Sequence, residues 1–424
     1  MRMRHICCYP RLRESRSPLR DVYLYFPMIA HSKNTEAALF FRVATRLGNV
    51  DWTRLQREPR SIDWNRLIAI ALLENSVTVL NDWVATLPSH AVPSESRERI
   101  GRLALIWTFK LRLLEQRLLN SVEVLSRAGI EVTLLKGAAL AVGTYPRFSD
   151  RPMADIDLLV DQRRAGEAYK LMQAAGWSID STLYSPEPWH DHHHLPPLSD
   201  TTGSGLRLEI HVAPLPRGHP FRLDLKDVLA RSDLVQLGES RVRVLEPHLH
   251  AVHAAIHFAW SHRFESGAVN IFRDLAALHT LRDFSWEQFV ARSHETRSET
   301  CCYWTMRLAR ELTSLPVPSE VLAELAPVLS ERLLSVLEQH FSALLVRASY
   351  ACPSTTLRRR LWALALDVKD ADFGNSAKWL APIRPNADRR PIAKLRLFAD
   401  HVRRVPTWSR YVASLFALTF ETFA

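Results

Sequence analysis

The sequence predicts an α+β protein: a mixed sheet with helices, flanked by N-terminal and C-terminal helical regions. Three observations carry this reading. Residues 35–129, and almost everything after Pro247, return apolar side chains at three- and four-residue steps, the period of a helix face. Between them, 131–135 and 155–160 are short β-branched or apolar runs, and 206–212 alternates cleanly between apolar and polar. The chain therefore divides into an extension at 1–34, a helical region at 35–129, an α/β core at 130–246 and a second helical region at 247–424.

The extension is charged and lacks the apolar core of a secretory signal, so it is read as a flexible segment without a fold role. In 97–128, Leu103, Trp107, Leu111, Leu114, Leu118, Val122 and Leu125 lay one stripe along a helix, and Gly129 supplies a left-handed stop. A strand at 131–135 ends in a Lys136-Gly137 turn, and 138–142 begins a helix after it. A looping stretch, 145–152, leads to a strand at 155–160. A helix at 162–175 closes on Gly176, and 177–179 extends again. Residues 190–198 lead through the turn-rich 199–205 into the strand at 206–212. Leu206, Leu208, Ile210 and Val212 share one face of that strand; Arg207, Glu209 and His211 share the other. From Pro247 the chain is helical nearly to its end, with a polar linker at 385–391.

Composition narrows the function classes. The five cysteines include two adjacent pairs, Cys7-Cys8 and Cys301-Cys302, and no CxxC, which argues against a disulfide framework or a thiolate zinc site. Reduced thiols and a cytoplasmic setting follow as the expectation. No apolar run approaches the ~20 residues of a membrane helix. The net charge of +10 comes mostly from arginine, which suits phosphate partners. It is spread along the chain, so nucleic acid is a partner the sequence permits and does not favour.

The candidate chemistry centres on Asp155 and Asp157. At i and i+2 on a strand they project together and repel unless a positive group lies between them. Mg²⁺, which prefers carboxylate and phosphate oxygens, is the economical answer, with Mn²⁺ as the alternative. Glu209 adds a third carboxylate if its strand is a neighbour, and three such groups hold two ions. Lys136, Gly137, Arg151 and His211 are the candidate phosphate contacts: a point charge, a turn with exposed amides, a forked donor and an imidazole on the acidic face.

The ordered residues LLKGAALAVGTYPRFSDRPMADIDLLV at 134–160 and LRLEIHV at 206–212 resemble the uncharacterised bacterial nucleotidyltransferase family of the polymerase-β-type superfamily. The segments LHAVHAAIHFAWSHRF and NIFRDLAAL, within 249–278, add a weaker likeness. The resemblance implies a minimal nucleotidyltransferase sheet with Gly137 at the turn, Asp155 and Asp157 as the metal pair and Glu209 as the third acid. It further implies transfer of a nucleoside monophosphate from a triphosphate donor to an acceptor (a small molecule, peptide or protein), with pyrophosphate released. Ala138 departs from the superfamily pattern, which commonly has Gly or Ser after the first glycine. An RNA acceptor, or a degenerate module that keeps the fold without turnover, are the competing readings.

The histidines complete the candidates. His190, His192 and His194 share a face if extended, and the segment is read first as a polar hairpin edge. His253 and His257 stand at i, i+4 on a helix and Asp274 lies on the next one; all three are expected to line the cleft. The metalloprotease glutamate is missing, since residue 254 is alanine.

Overall fold

The computed structural model describes residues 36–45, 62–179, 192–215, 219–347 and 354–368. The polar linker expected at 385–391, the extension at 1–34, and His190 fall outside them.

Helices α1 (Glu36–Thr45), α2 (Trp64–Leu73) and α3 (Val77–Thr86) precede the long helix α4 (Ser94–Arg127). The stripe expected on α4 is its buried face: Leu111, Leu114, Leu118, Val122 and Leu125 are inaccessible or nearly so. Gly129 ends it at φ +67, the left-handed stop expected there.

The sheet runs β3–β4–β5–β2–β1–β7–β6. Its strands are β1 (Thr133–Leu134), β2 (Asp155–Leu159), β3 (Trp177–Ile179), β4 (Leu198–Asp200), β5 (Arg207–His211), β6 (Ser232–Leu237) and β7 (Ser240–Leu245). Helix α5 (Lys136–Gly143) follows β1, α6 (Ala165–Ala174) follows β2, and the short α7 (Leu225–Ala230) precedes β6. Strand β2 pairs parallel with β5 and antiparallel with β1, so the sheet is mixed, as expected. The β6–β7 hairpin, turning at Gly238 with φ +59, was not anticipated from the sequence.

One face of the sheet buries Ile156, Leu158, Leu208 and Ile210 with Leu114, Leu118 and Val122 of α4 and with Ala168 and Met172 of α6. On the other side, Leu159 and Leu245 join a larger cluster with the N-terminal helices and the C-terminal bundle. That bundle comprises α8 (Pro247–Ile256), α9 (Ala268–His279), α10 (Trp286–Glu295), α11 (Glu299–Thr313), α12 (Ser319–Leu325), α13 (Glu331–Leu345) and α14 (Thr355–Leu366). A π-helical turn, His257–Ser261, extends α8. Cys301 and Cys302 are free thiols in the core of α11. Among the described residues no helix is long and apolar enough to cross a membrane.

Candidate active site

Parallel pairing of β2 with β5 sets Asp155 beside Arg207, Asp157 beside Glu209 and Leu159 beside His211. Laterally paired residues of neighbouring strands point the same way, so the two acidic rows become one constellation. Apolar neighbours on the opposite face lock the register, because a slip of one residue would bury the acids and expose Ile156 and Leu158.

Asp157 is the hub. Its Oδ1 accepts from Lys136 Nζ at 2.6 Å and lies 2.8 Å from His211 Nε2. Lys136 Nζ is also 3.9 Å from Glu209 Oε2, and His211 Nε2 is 3.4 Å from that same oxygen. Asp157 and His211 are buried, while Glu209 is partly open. Among the described residues, Asp157, Glu209 and His211 offer ligand atoms that all lie within 4.8 Å of one another. The sequence placed Asp155 in this set; its side chain stands instead at the solvent end of β2, outside that group.

The electrostatics follow from burial opposed by partners. Burial pushes the Asp157 carboxyl up, but Lys136 and His211 outweigh it and hold it below the usual carboxylate range. Glu209 behaves alike and lies well below its usual value, held there by His211 and Lys136 against its burial. Burial and the Lys136 charge pull His211 down, yet its bonds to the two acids leave it raised. Lys136 is also raised: burial opposes its charge, and the three carboxylates more than offset that. Asp155 reaches solvent as a residue, but protein crowded round its carboxyl and the neighbouring Asp157 charge push it up to about 6.

Lys136 reaches the acids from a left-handed backbone, φ +48, at the junction of β1 and α5. A lysine there costs about 1–3 kcal/mol and persists where the surroundings enforce it. One such support is His250 of α8, whose imidazole hydrogen-bonds the Lys136 backbone. The sequence assigned the turn to Gly137, but Gly137 sits in the first turn of α5 for a different reason. A Cβ on it would lie 3.3 Å from Met153 Sδ and 3.5 Å from Arg151 Nη1. Ala138 is fully buried among the sheet-side core residues, so this position is a packing site in the chain.

Arg151, expected at the triphosphate, has its fork on Asp274. Its Nε and Nη2 each donate to Asp274 at 2.7 Å, and Nη1 donates to the Pro152 carbonyl at 2.5 Å. Tyr145 Oη donates to Asp274 Oδ1 at 2.9 Å. Asp274, expected to line the cleft, is thus the buried anchor of Arg151. His253 is also buried, with Nε2 3.2 Å from the Pro214 carbonyl, just beyond β5. His257 packs edge-on to His262, with ring centroids 4.6 Å apart. Burial holds His250 down to about 3 and His253 down to about 4, so both are neutral braces.

Sequence reasoning left two basic residues near the mouth unassigned. Arg207 lies in register beside Asp155, and Lys110 of α4 is close enough to feel the charges of both. The alternation of 206–212 placed Arg207 on the acidic face; nothing in the spacing of α4 pointed to Lys110. The segment His192–His194, expected as a polar edge, bridges to β5 through His194 and His211. The His193 and His194 rings lie 5.2 and 5.4 Å from that of His211.

No curated protein and no solved structure matches this chain. A family model described as an uncharacterised nucleotidyltransferase matches residues 60–314, which span α2 to α11, the whole sheet and every residue of the acidic constellation. With more than half of its length matched, the chain belongs to this uncharacterised nucleotidyltransferase family.

Proposed function

We propose that the chain moves a nucleoside monophosphate from a nucleoside triphosphate to an acceptor oxygen and releases pyrophosphate. The observation that carries this reading is the register seating Asp157 beside Glu209, with Lys136 Nζ and His211 Nε2 converging on one Asp157 oxygen. Two positive or proton-bearing groups on one carboxylate oxygen mark a point where a cation is favoured. The donor set fits a divalent ion: Asp157, Glu209 and His211 would hold it, with Asp155 alongside at the solvent end. Mg²⁺ is the ion the sequence names, and bound there it would supply charge to the reacting phosphate and the departing pyrophosphate.

The chain's own residues do the rest. No side chain caps the first turn of α5, which Lys136 opens. Lys136 holds a positive charge beside that turn. Asp155 reaches solvent and lies outside the tight group, and in this reading it takes the proton of the attacking hydroxyl. Glu209 is less suited to that step, because its carboxylate is engaged by Lys136 and His211. The acceptor oxygen bonds to the α-phosphorus as the bridging P–O bond breaks, and its electron pair leaves with pyrophosphate. Arg151 stays with Asp274.

A thermal-shift series with the four ribonucleoside triphosphates, with and without Mg²⁺, tests this on wild type and Asp157→Asn. A ligand at a hundred times its Kd stabilises by about 2.7 kcal/mol, enough to read as a clear rise in Tm. The expected result is a cation-dependent rise with at least one nucleotide, absent in the variant. Equal rises in both proteins, or none with any nucleotide, overturn the proposal.

A further inference from the structure

Helix α4 has an outer face that the nucleotidyltransferase site does not use. Its C-terminal half buries Leu114, Leu118 and Val122 against the sheet, but nearer its N-terminus Leu105, Ile106 and Phe109 are 72, 64 and 71% exposed. Single exposed apolar residues are ordinary, whereas three large ones on adjoining turns form a patch, and such patches mark interaction surfaces. A glycine stands in the same row. Gly101, Leu105 and Phe109 follow one another at four-residue steps, so they line one ridge of the helix. Glycine is a poor helix former, yet among the described residues a Cβ on Gly101 would meet no atom within 4 Å. The chain's own packing therefore does not call for it; a backbone approaching from outside would. Charge is arranged about the same centre. Glu98 lies seven residues before Leu105 and Arg112 seven after, two turns away on either side, and both are exposed.

We propose that this face joins a second copy of the chain through an antiparallel α4–α4 contact whose two-fold axis passes at Leu105. Running the helix against itself about that residue seats Phe109 over the partner's Gly101 and brings Glu98 against the partner's Arg112. The bulky and the bare position, and the acid and the base, are each equidistant from Leu105, which is the condition for a self-complementary patch. A two-fold contact uses the patch twice, so every matched pair counts two times. Arg102, which pairs with Glu98 on its own helix at 3.5 Å, falls opposite the partner's Thr108 rather than opposite a like charge. One helix pair is smaller than a standard interface, so the dimer exchanges with monomer at micromolar concentrations. No residue of the acidic constellation lies on α4, and the contact stands whether or not the chain transfers nucleotides.

The test is sedimentation equilibrium of the full chain over a concentration series, with far-ultraviolet circular dichroism to check folding. The expected mass rises from one chain to two and no further. Phe109→Ser removes the protruding ring and Gly101→Leu fills the hollow that receives it; each should weaken the dimer by about tenfold or more. The decisive set reverses charge. Glu98→Arg alone and Arg112→Glu alone should each weaken association by roughly threefold to tenfold, and the two together in one chain should restore it, because each side chain again faces its opposite. The exchanged charges are exposed and Gly101→Leu favours the helix, so these variants keep the fold. A mass of one chain at every concentration would overturn the proposal; a urea midpoint lowered by Phe109→Ser would then show that another segment of the same chain covers the patch. A dimer that none of the substitutions weakens would overturn it as well. Loss in both single charge exchanges without recovery in the double would refute the antiparallel pairing about Leu105.

Discussion

Replacing Asp274 by alanine separates two roles for Arg151. The sequence places Arg151 at the donor phosphates, whereas the structure buries its guanidinium against Asp274 through two bonds of 2.7 Å. The side chains are 9% and 1% exposed, so the pair is desolvated and the loss of one partner strands a charge. Such a deletion costs about 3–5 kcal/mol. The Tyr145 hydroxyl, which also donates to Asp274, loses its acceptor in the same step. For a chain of this size roughly 2 °C of Tm accompanies each kcal/mol, so Asp274→Ala should melt about 6–10 °C below wild type. Urea unfolding followed by circular dichroism gives the free energy independently. Removing both charges with Arg151→Met and Asp274→Leu together should recover much of the loss, because a well-packed apolar pair avoids the desolvation penalty. A fall of less than about 1 kcal/mol for Asp274→Ala would refute the argument. It would mean that Arg151 is solvated and able to face the cleft, as the sequence suggested.

Three further outcomes follow from the geometry. Lys136→Met should lower Mg²⁺-nucleotide-dependent turnover by at least about a hundredfold, since charge stabilisation at a dry site is worth several kcal/mol; turnover within threefold of wild type would exclude Lys136 from the chemistry. Gly137→Ala should cost on the order of 1 kcal/mol, because the new methyl meets Met153 at 3.3 Å and the neighbour must shift; an unchanged urea midpoint would show that Met153 yields freely. Stability should fall on acidification. His250 and His340 are held down to about 3 and His253 to about 4 by burial, so the unfolded chain binds protons at higher pH than the folded one. Their contribution is complete above the unfolded pKa of ~6.5 and is lost as pH falls towards 3–4, on the order of 2 kcal/mol for each group at about pH 5. A urea midpoint that is flat between pH 7.5 and 5 would contradict this.

Much of the site was legible because strand periodicity is a strict geometric rule. Alternation alone put Asp155 with Asp157, and Glu209 with His211, on single faces, and the parallel β2–β5 pairing joined the two. What spacing does not encode is which opposite charge reaches a buried group first. Arg151 and Asp274 are 123 residues apart, and nothing local in either segment announces that they meet. The Lys136-Gly137 turn was read for the close approach its glycine allows; in the structure Lys136 holds the left-handed backbone, with His250 hydrogen-bonded to it, and the glycine answers a steric demand from Met153 and Arg151. The β6–β7 hairpin escaped notice for a different reason. β6 is an edge strand whose residues are all at least partly exposed, so it lacks the apolar alternation that marked β5.

The Arg151–Asp274 pair bears on the chemistry through charge balance. Asp155, Asp157 and Glu209 bring three carboxylates to one patch of sheet, and Arg151 would be a natural counter-charge for them. Asp274 neutralises Arg151 through both fork nitrogens, which leaves Lys136 as the cation in direct contact with the acids and His211 as a conditional one. Arg207 and Lys110 stand further out, beside Asp155 at the mouth. The inner site thus keeps an excess of negative charge whenever His211 is neutral. Because like charges at this separation in a dry environment are costly, that excess is a standing preference for a divalent ion. Asp274→Asn should therefore act beyond stability: freeing part of the Arg151 charge towards the acids should weaken cation binding at a site none of its atoms touches. Calorimetric titration of Mn²⁺ into that variant measures the effect, and an unchanged affinity would show that the buried pair and the acidic site are electrostatically independent.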